Sequence, residues 1–180
     1  MSVIDTTYFY GPLSIAQISQ TEIAAEVQMF IDENENSLLS ILMGYELSKA
    51  YLDGISAGSP AQKWLDIRDG KEYTDSNGNL TKWLGLRFTV GTSKHSLVAN
   101  YVYCKYIENS ITITTASGEK KTDLAVNVSP TQKIIKAWND MVKQNIELYL
   151  FLSHSIATYP EFENVVLDTY YFTYKNSLGI

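Results

Sequence analysis

The chain is poor in the residues that announce a specialised chemistry. It holds one cysteine, Cys104, in 180 residues, which excludes an internal disulfide and a thiolate-cluster metal site. Ten glycines and four prolines fall below the ordinary share and exclude collagen-like and low-complexity chains. The longest apolar runs are far too short to span a bilayer, and no charged-then-apolar signal opens the sequence, so no membrane partner is expected. Asn79-Leu80-Thr81 and Asn127-Val128-Ser129 fit the glycosylation pattern, but without a secretion signal they carry no meaning.

Catalytic patterns are missing too. There is no glycine-rich phosphate loop before a helix, no G-x-S-x-G and no H-E-x-x-H. His95 and His154 stand 59 residues apart, neither with a second ligand at metal spacing. His95 reads as a histidine at a helix start, and His154 as one in the last turns of a long helix. Cys104 sits among apolar residues, where a thiol behaves as a small hydrophobe, and Lys105 alone does not make it reactive. Asp75-Ser76-Asn77-Gly78-Asn79 is reminiscent of a calcium loop, but its glycine is misplaced and no glutamate closes it. Glu22 and Glu26 share a helix face as solvated carboxylates. The expectation is no catalytic residue, no cofactor and no metal: a protein that is not an enzyme.

What the sequence has is tyrosine. Thirteen Tyr, six Phe and three Trp make 12% aromatic residues. They suit either a tyrosine-rich core or half-buried positions where chains meet. Apolar residues at 45% and charged residues at 19% describe a globular chain of one domain's length. Charge is uneven. Residues 1–60 carry a net −7, residues 61–143 a net +4, and the whole chain −6. Unlike regions of this kind attract between copies, although solvated helix faces give the same count. An acidic chain without a basic recognition helix is a poor duplex-DNA binder, which weakens a regulator reading.

Residues 1–20 read as an extended N-terminal segment, with Tyr8-Phe9-Tyr10 stopped by Gly11-Pro12. Thr21 caps a helix whose apolar positions run through Ile23, Val27, Phe30 and Ile31. The polar stretch Asp32 to Ser37 is expected to break or expose it, with helix resuming from Leu38 towards Gly54. Ser59-Pro60-Ala61-Gln62 and Ser129-Pro130-Thr131-Gln132 read as capping boxes with proline at the first helical position. The first opens a short helix ending at Gly70; the second opens a long one of about 27 residues, ~40 Å. Its stripe runs from Ile134 through Trp138 and Met141 to Ile156, and should pack on the apolar helix Ser96–Asn109. Asn77-Gly78 marks a β-hairpin. Residues 110–128 alternate and read as an arm with a polar tip at Gly118, Lys120 and Lys121. Residues 161–180 form a strand-like extension in which Tyr170, Phe172, Tyr174, Leu178 and Ile180 seek a partner chain, or pair with residues 3–10 of the same chain. The fold class is mainly α: a core of four to five helices in residues 21–160, one of them long and C-terminal, plus a short β-hairpin, an arm and strand-like termini.

Several segments together resemble the head–tail connector (adaptor, or head-completion) proteins of tailed phages, of the Bacteroidetes and crAss-like type. They are Phe30-Ile31, Leu38 to Leu47, Lys71-Glu72-Tyr73, Asn77-Gly78 and Lys82 to Leu86. Ala99 to Tyr103, Asn127 to Pro130, Lys136 to Met141, Leu148-Tyr149, Tyr159-Pro160-Glu161 and Asn176 to Ile180 follow in order, with Leu178 where the family pattern has Phe. The resemblance implies a helical core with a projecting arm. It implies a homo-oligomeric ring, usually a dodecamer, below the portal protein in the virion neck, made in the bacterial host cytoplasm. Such a ring extends the DNA channel without sequence-specific DNA binding and offers a platform to the tail or further neck proteins. The alternative is a small helical ligand-binding or enzymatic domain whose site has no sequence signature.

Overall fold

The computed structural model describes residues 2–115, 118–121 and 131–176. The architecture is mainly α. In chain order the regular elements are α1 (Thr21–Met43), α2 (Tyr45–Ile55), α3 (Gln62–Asp69), β1 (Lys71–Thr74) and β2 (Leu80–Trp83). Then come β3 (Arg87–Val90), β4 (Ser93–Ser96), α4 (Leu97–Ile111), β5 (Thr112–Thr115), β6 (Gly118–Lys121) and α5 (Thr131–His154). Among the described residues the strands pair as antiparallel hairpins, β1 with β2, β3 with β4 and β5 with β6.

The core forms where α4 and α5 pack together and α1 crosses α4. Trp138, Met141 and Val142 on α5, and Val98, Val102 and Cys104 on α4, are buried, so the expected pairing of the long stripe with the apolar helix is observed. Burial pushes the Cys104 thiol up to about 12, which leaves it protonated and unreactive near neutral pH.

α1 does not break at Asp32–Ser37. It runs 23 residues because Glu35, in the middle of that polar stretch, turns inward rather than to water. Its carboxylate accepts the Val3 N–H at 2.9 Å and 3.0 Å, and lies 2.6 Å from the Ser2 hydroxyl. The bend comes at Gly44, whose φ of +76° ends α1 and whose Cα faces Val165 too closely for a side chain. The short helix starts at Gln62 behind Ala61, with no side-chain cap from Ser59; the second expected box begins at Ser129 and Pro130, outside the described residues.

The hairpin at Asn77-Gly78 is present. Asp75 accepts the backbone N–H groups of Asn77 and Asn79 at 2.9 Å and 2.8 Å, closing the turn. A second hairpin, β3–β4, escaped the sequence reading, and His95 belongs to it rather than to a helix start. His95 stacks on Phe88, with ring centroids 5.2 Å apart.

Among the described residues neither end of the chain forms a strand. Residues 2–20 form two 3-10 turns, at Thr6–Tyr8 and Gly11–Leu13, with Val3, Ile4, Tyr8, Phe9, Ile15 and Ile18 buried in the core. The other end forms 3-10 turns at Pro160–Phe162 and Thr169–Phe172. The two ends do not pair with each other. Aromatic residues favour strands only where a pleated neighbour is available. Here a helix offers side-chain hydrogen bonds instead.

Candidate functional site

Among the described residues no cluster of three His, Cys, Asp or Glu side chains is placed to hold a metal ion, and no helix is long and apolar enough to cross a membrane. The surfaces that carry chemistry are three: the tail on α5, a groove at the Gly44 bend, and a cleft on the other flank of α5.

The tail is strapped to α5 by side chains that bind its main chain. The Asn145 amide donates to the Tyr171 carbonyl at 2.8 Å, and the Trp138 indole N–H to the Thr173 carbonyl at 2.9 Å. Asn139 donates to the Lys175 carbonyl at 2.9 Å and accepts the Lys175 N–H at 2.8 Å. Asp168 caps the turn by accepting the Tyr170 N–H. These residues satisfy backbone groups of Tyr170, Tyr171, Thr173 and Lys175 that a strand partner was expected to satisfy.

The sequence-derived contact residues divide accordingly. Tyr170 is 49% exposed but lays one edge against Trp138, centroids 4.9 Å apart. Phe172 is half-buried against Tyr149 at 6.3 Å. Tyr174 is 51% exposed. Lys175 lies over the Trp138 ring at 4.2 Å, a cation–π contact that closes the strap. Leu178 and Ile180 lie outside the described residues. Gly118, Lys120 and Lys121 lie on β6, paired with β5 in the register Thr115–Gly118 to Thr112–Lys121; the tail and β6 therefore supply two separate regions, not one site.

The groove at the bend has a volume of about 610 Å³ and is lined by Ile41, Tyr45, Pro160 and Val166 with three carboxylates, Glu46, Glu161 and Asp168, and no cation. Tyr45 is 71% exposed and Val166 is 92% exposed. One carboxylate oxygen of Glu161 is buried without a hydrogen-bond partner. Sequence reading placed Val165 to Leu167 in a strand and so missed that Val166 stands clear of the fold.

The cleft lies between the β3–β4 hairpin, the start of α4 and α5. It has a volume of about 230 Å³, with a smaller recess of about 70 Å³ sharing His95, Asn100 and Asp140. Its floor holds Asn100 and Gln144, only 6% and 8% exposed. The side-chain oxygen of Gln144 is buried and unpartnered. Burial raises the Glu147 carboxyl above its usual range, against the pull of Lys143. No sequence signal marked Asn100 or Gln144, since polar residues on helices are ordinarily solvated. Comparison with family models, with curated proteins and with solved structures finds no match.

Proposed function

We propose that this protein is a structural component of a tailed-phage virion, a connector that forms a ring below the portal, extends the DNA channel and presents a platform to the tail. The observation that carries the reading is architectural. A core of α-helices, with a β-ribbon (β5–β6) between its two most closely packed helices, agrees with what the resemblance implies. Exposed Tyr45 and Val166 beside carboxylates support an assembly role, since exposed apolar side chains rimmed by charge mark protein contacts. The partners are further copies of the chain, usually twelve in such rings, then the portal protein and tail or further neck proteins. DNA passes without being read, and the role is structural rather than enzymatic.

The test is the mass of the purified chain, alone and with the portal protein, together with antibody labelling of purified virions. Closed rings and label at the head–tail vertex are expected. A chain that stays monomeric in both mixtures and is absent from virions overturns the reading in favour of the small ligand-binding domain.

A further inference from the structure

α5 treats its two flanks differently. On one, Asn139, Asn145 and Trp138 bind the main chain of the tail. On the other, Gln144, about 100° around the helix from Asn145, keeps its buried side-chain oxygen without a partner, as Asn145 keeps its own Oδ1, and Asn100 from α4 lines the same cleft with a second carboxamide. Buried polar side chains without partners are rare, because each costs the hydration it has given up. The cleft itself carries Lys143, and the recess that continues it carries Lys94, Lys133 and Lys136. Asp140 lies 3.7 Å from Lys136, Glu147 4.0 Å from Lys143 and Asp5 3.9 Å from Lys94, so Lys133 is the lysine left without an ion pair among the described residues and supplies the net positive charge.

The molecule also carries a segment with the complementary properties. Residues 165–168 lie in no helix or strand. The N–H groups of Val166 and Leu167 have no hydrogen bond among the described residues. Val166 is the most exposed large apolar side chain described, and the flanking charges, Glu46, Glu161 and Asp168, are all negative. The segment is anchored beyond the C-terminal end of α5 by Val165 against Gly44, while the cleft follows α5 from Lys133 to Glu147.

We propose that the cleft on the outer flank of α5 receives residues 164–168 of an adjacent copy, its carboxamides binding that main chain and its lysines facing Glu46 and Asp168. Each copy then uses two unlike patches, which makes the contact heterologous and lets it propagate around a ring. This rests on the connector reading and supplies its subunit contact. Opposite charge sets the register of approach, and Val166 enters against Leu84 and Phe88 in the cleft wall.

The test is oxidative cross-linking of the full-length chain carrying K143C and V166C; the buried, protonated Cys104 does not compete. A ladder of cross-linked oligomers is expected from the double variant, and from a mixture of the two single variants a cross-linked dimer. The single V166C variant alone should give none; dimers from it would reveal a symmetric contact and overturn the proposal. Charge supplies a second readout. E46K/D168K should weaken association at least tenfold in sedimentation, with unchanged melting, and K133E/K136E in the mixed partner should restore it. Rings that assemble without a 143–166 cross-link, or that ignore the charge exchange, overturn this contact and leave the connector reading standing. A chain that is monomeric at every concentration and absent from virions overturns both.

Discussion

The two ends of the chain have similar composition and opposite fates. Residues 2–20 and 161–176 are both rich in tyrosine and phenylalanine, and both lie in 3-10 turns against the helices. The N-terminal segment drives its side chains inward: Phe9 is fully buried, and the main chain is held at one point, by Glu35. The C-terminal segment does the reverse. Its main chain is bound at Tyr171, Thr173 and Lys175, while Tyr170 and Tyr174 stay half exposed. One end is a plug whose removal opens the core; the other, beyond the buried Phe162, is a strap that lays Tyr171 and Phe172 half-buried on the core and is held mainly through its main chain. Burial of apolar area stabilises more than a few hydrogen bonds exchanged with water, so the plug should dominate folding and the strap should be the separable part.

The largest effects test the plug and the anchor of the strap together. Phe9→Ala should cost about 3–5 kcal/mol in denaturant unfolding, as should Trp138→Ala, because each empties a fully buried aromatic site. The comparison lies in what else changes. Trp138→Ala also removes the indole bond to Thr173, so hydrogen exchange should rise across residues 170–175 in that variant and stay native there in Phe9→Ala. Equal exchange in the two variants would erase the distinction between plug and strap.

Next comes the buried polar hold on the plug's main chain. Glu35→Ala leaves the buried Val3 N–H without an acceptor and should cost about 1–3 kcal/mol, measured by thermal unfolding, with early proteolysis confined to residues 2–20. An unchanged melting temperature would show that the segment is held without Glu35, by its apolar contacts and by Lys94 on Asp5 and Thr7.

The difference between the ends also explains what could be read from the sequence. The α4–α5 pair, the Asn77-Gly78 hairpin, the Gly70 stop and the mainly α class follow from local periodicity and turn chemistry. The termini did not, because Val165 to Tyr174 meets strand preference locally and is overruled by Trp138, Asn139 and Asn145, some 26 to 36 residues away in the chain. Asp32 to Ser37 reads as polar and therefore as a break; only the placement of Ser2 and Val3 shows that Glu35 has partners indoors. β3–β4 was missed since β3 runs two half-buried positions followed by two exposed ones and β4, Ser-Lys-His-Ser, is polar throughout, so neither shows an apolar alternation. Of the candidate surfaces, the cleft was not legible in the sequence, since it needed the fold to bring Asn100 beside Gln144.

A smaller effect sharpens the strap. Asn139→Ala removes both hydrogen bonds to Lys175 at a half-buried site and should cost about 0.5–1.5 kcal/mol. Asn139→Asp keeps the acceptor for the Lys175 N–H and loses the donor, so it should fall between wild type and alanine. Exchange at residues 173–176 should rise in the same order while residues 2–20 stay protected. A cost as large as that of Trp138→Ala would mean that the strap is part of the core after all.

The smallest effect is the pH dependence of the plug. Ser2 Oγ lies 2.7 Å from the Ile4 carbonyl and 2.6 Å from Glu35, yet a hydroxyl has one proton for these two acceptors. Protonating Glu35 supplies the missing one. Burial, only partly opposed by the hydrogen bonds from Ser2 and Val3, raises the Glu35 carboxyl above its ordinary 4.5. A raised folded-state value means that the folded protein holds this proton more tightly. The stability it brings is therefore complete below about 4.5 and is lost as pH rises through the raised value. Glu147, also raised by burial, acts in the same direction. Asp69 acts in the opposite one: burial pushes it up, but the hydrogen bonds from Arg68 and Arg87 prevail and hold it below 3.8, so its contribution disappears as pH falls through that lower value. Thermal unfolding should thus show a melting temperature that rises modestly as pH drops from 7 towards 5 and declines below about 4. Glu35→Gln, which mimics the protonated side chain, should flatten the first limb and leave the second; Asp69→Asn should do the converse. A first limb that persists in Glu35→Gln would assign the proton to Glu147 and leave the plug indifferent to pH.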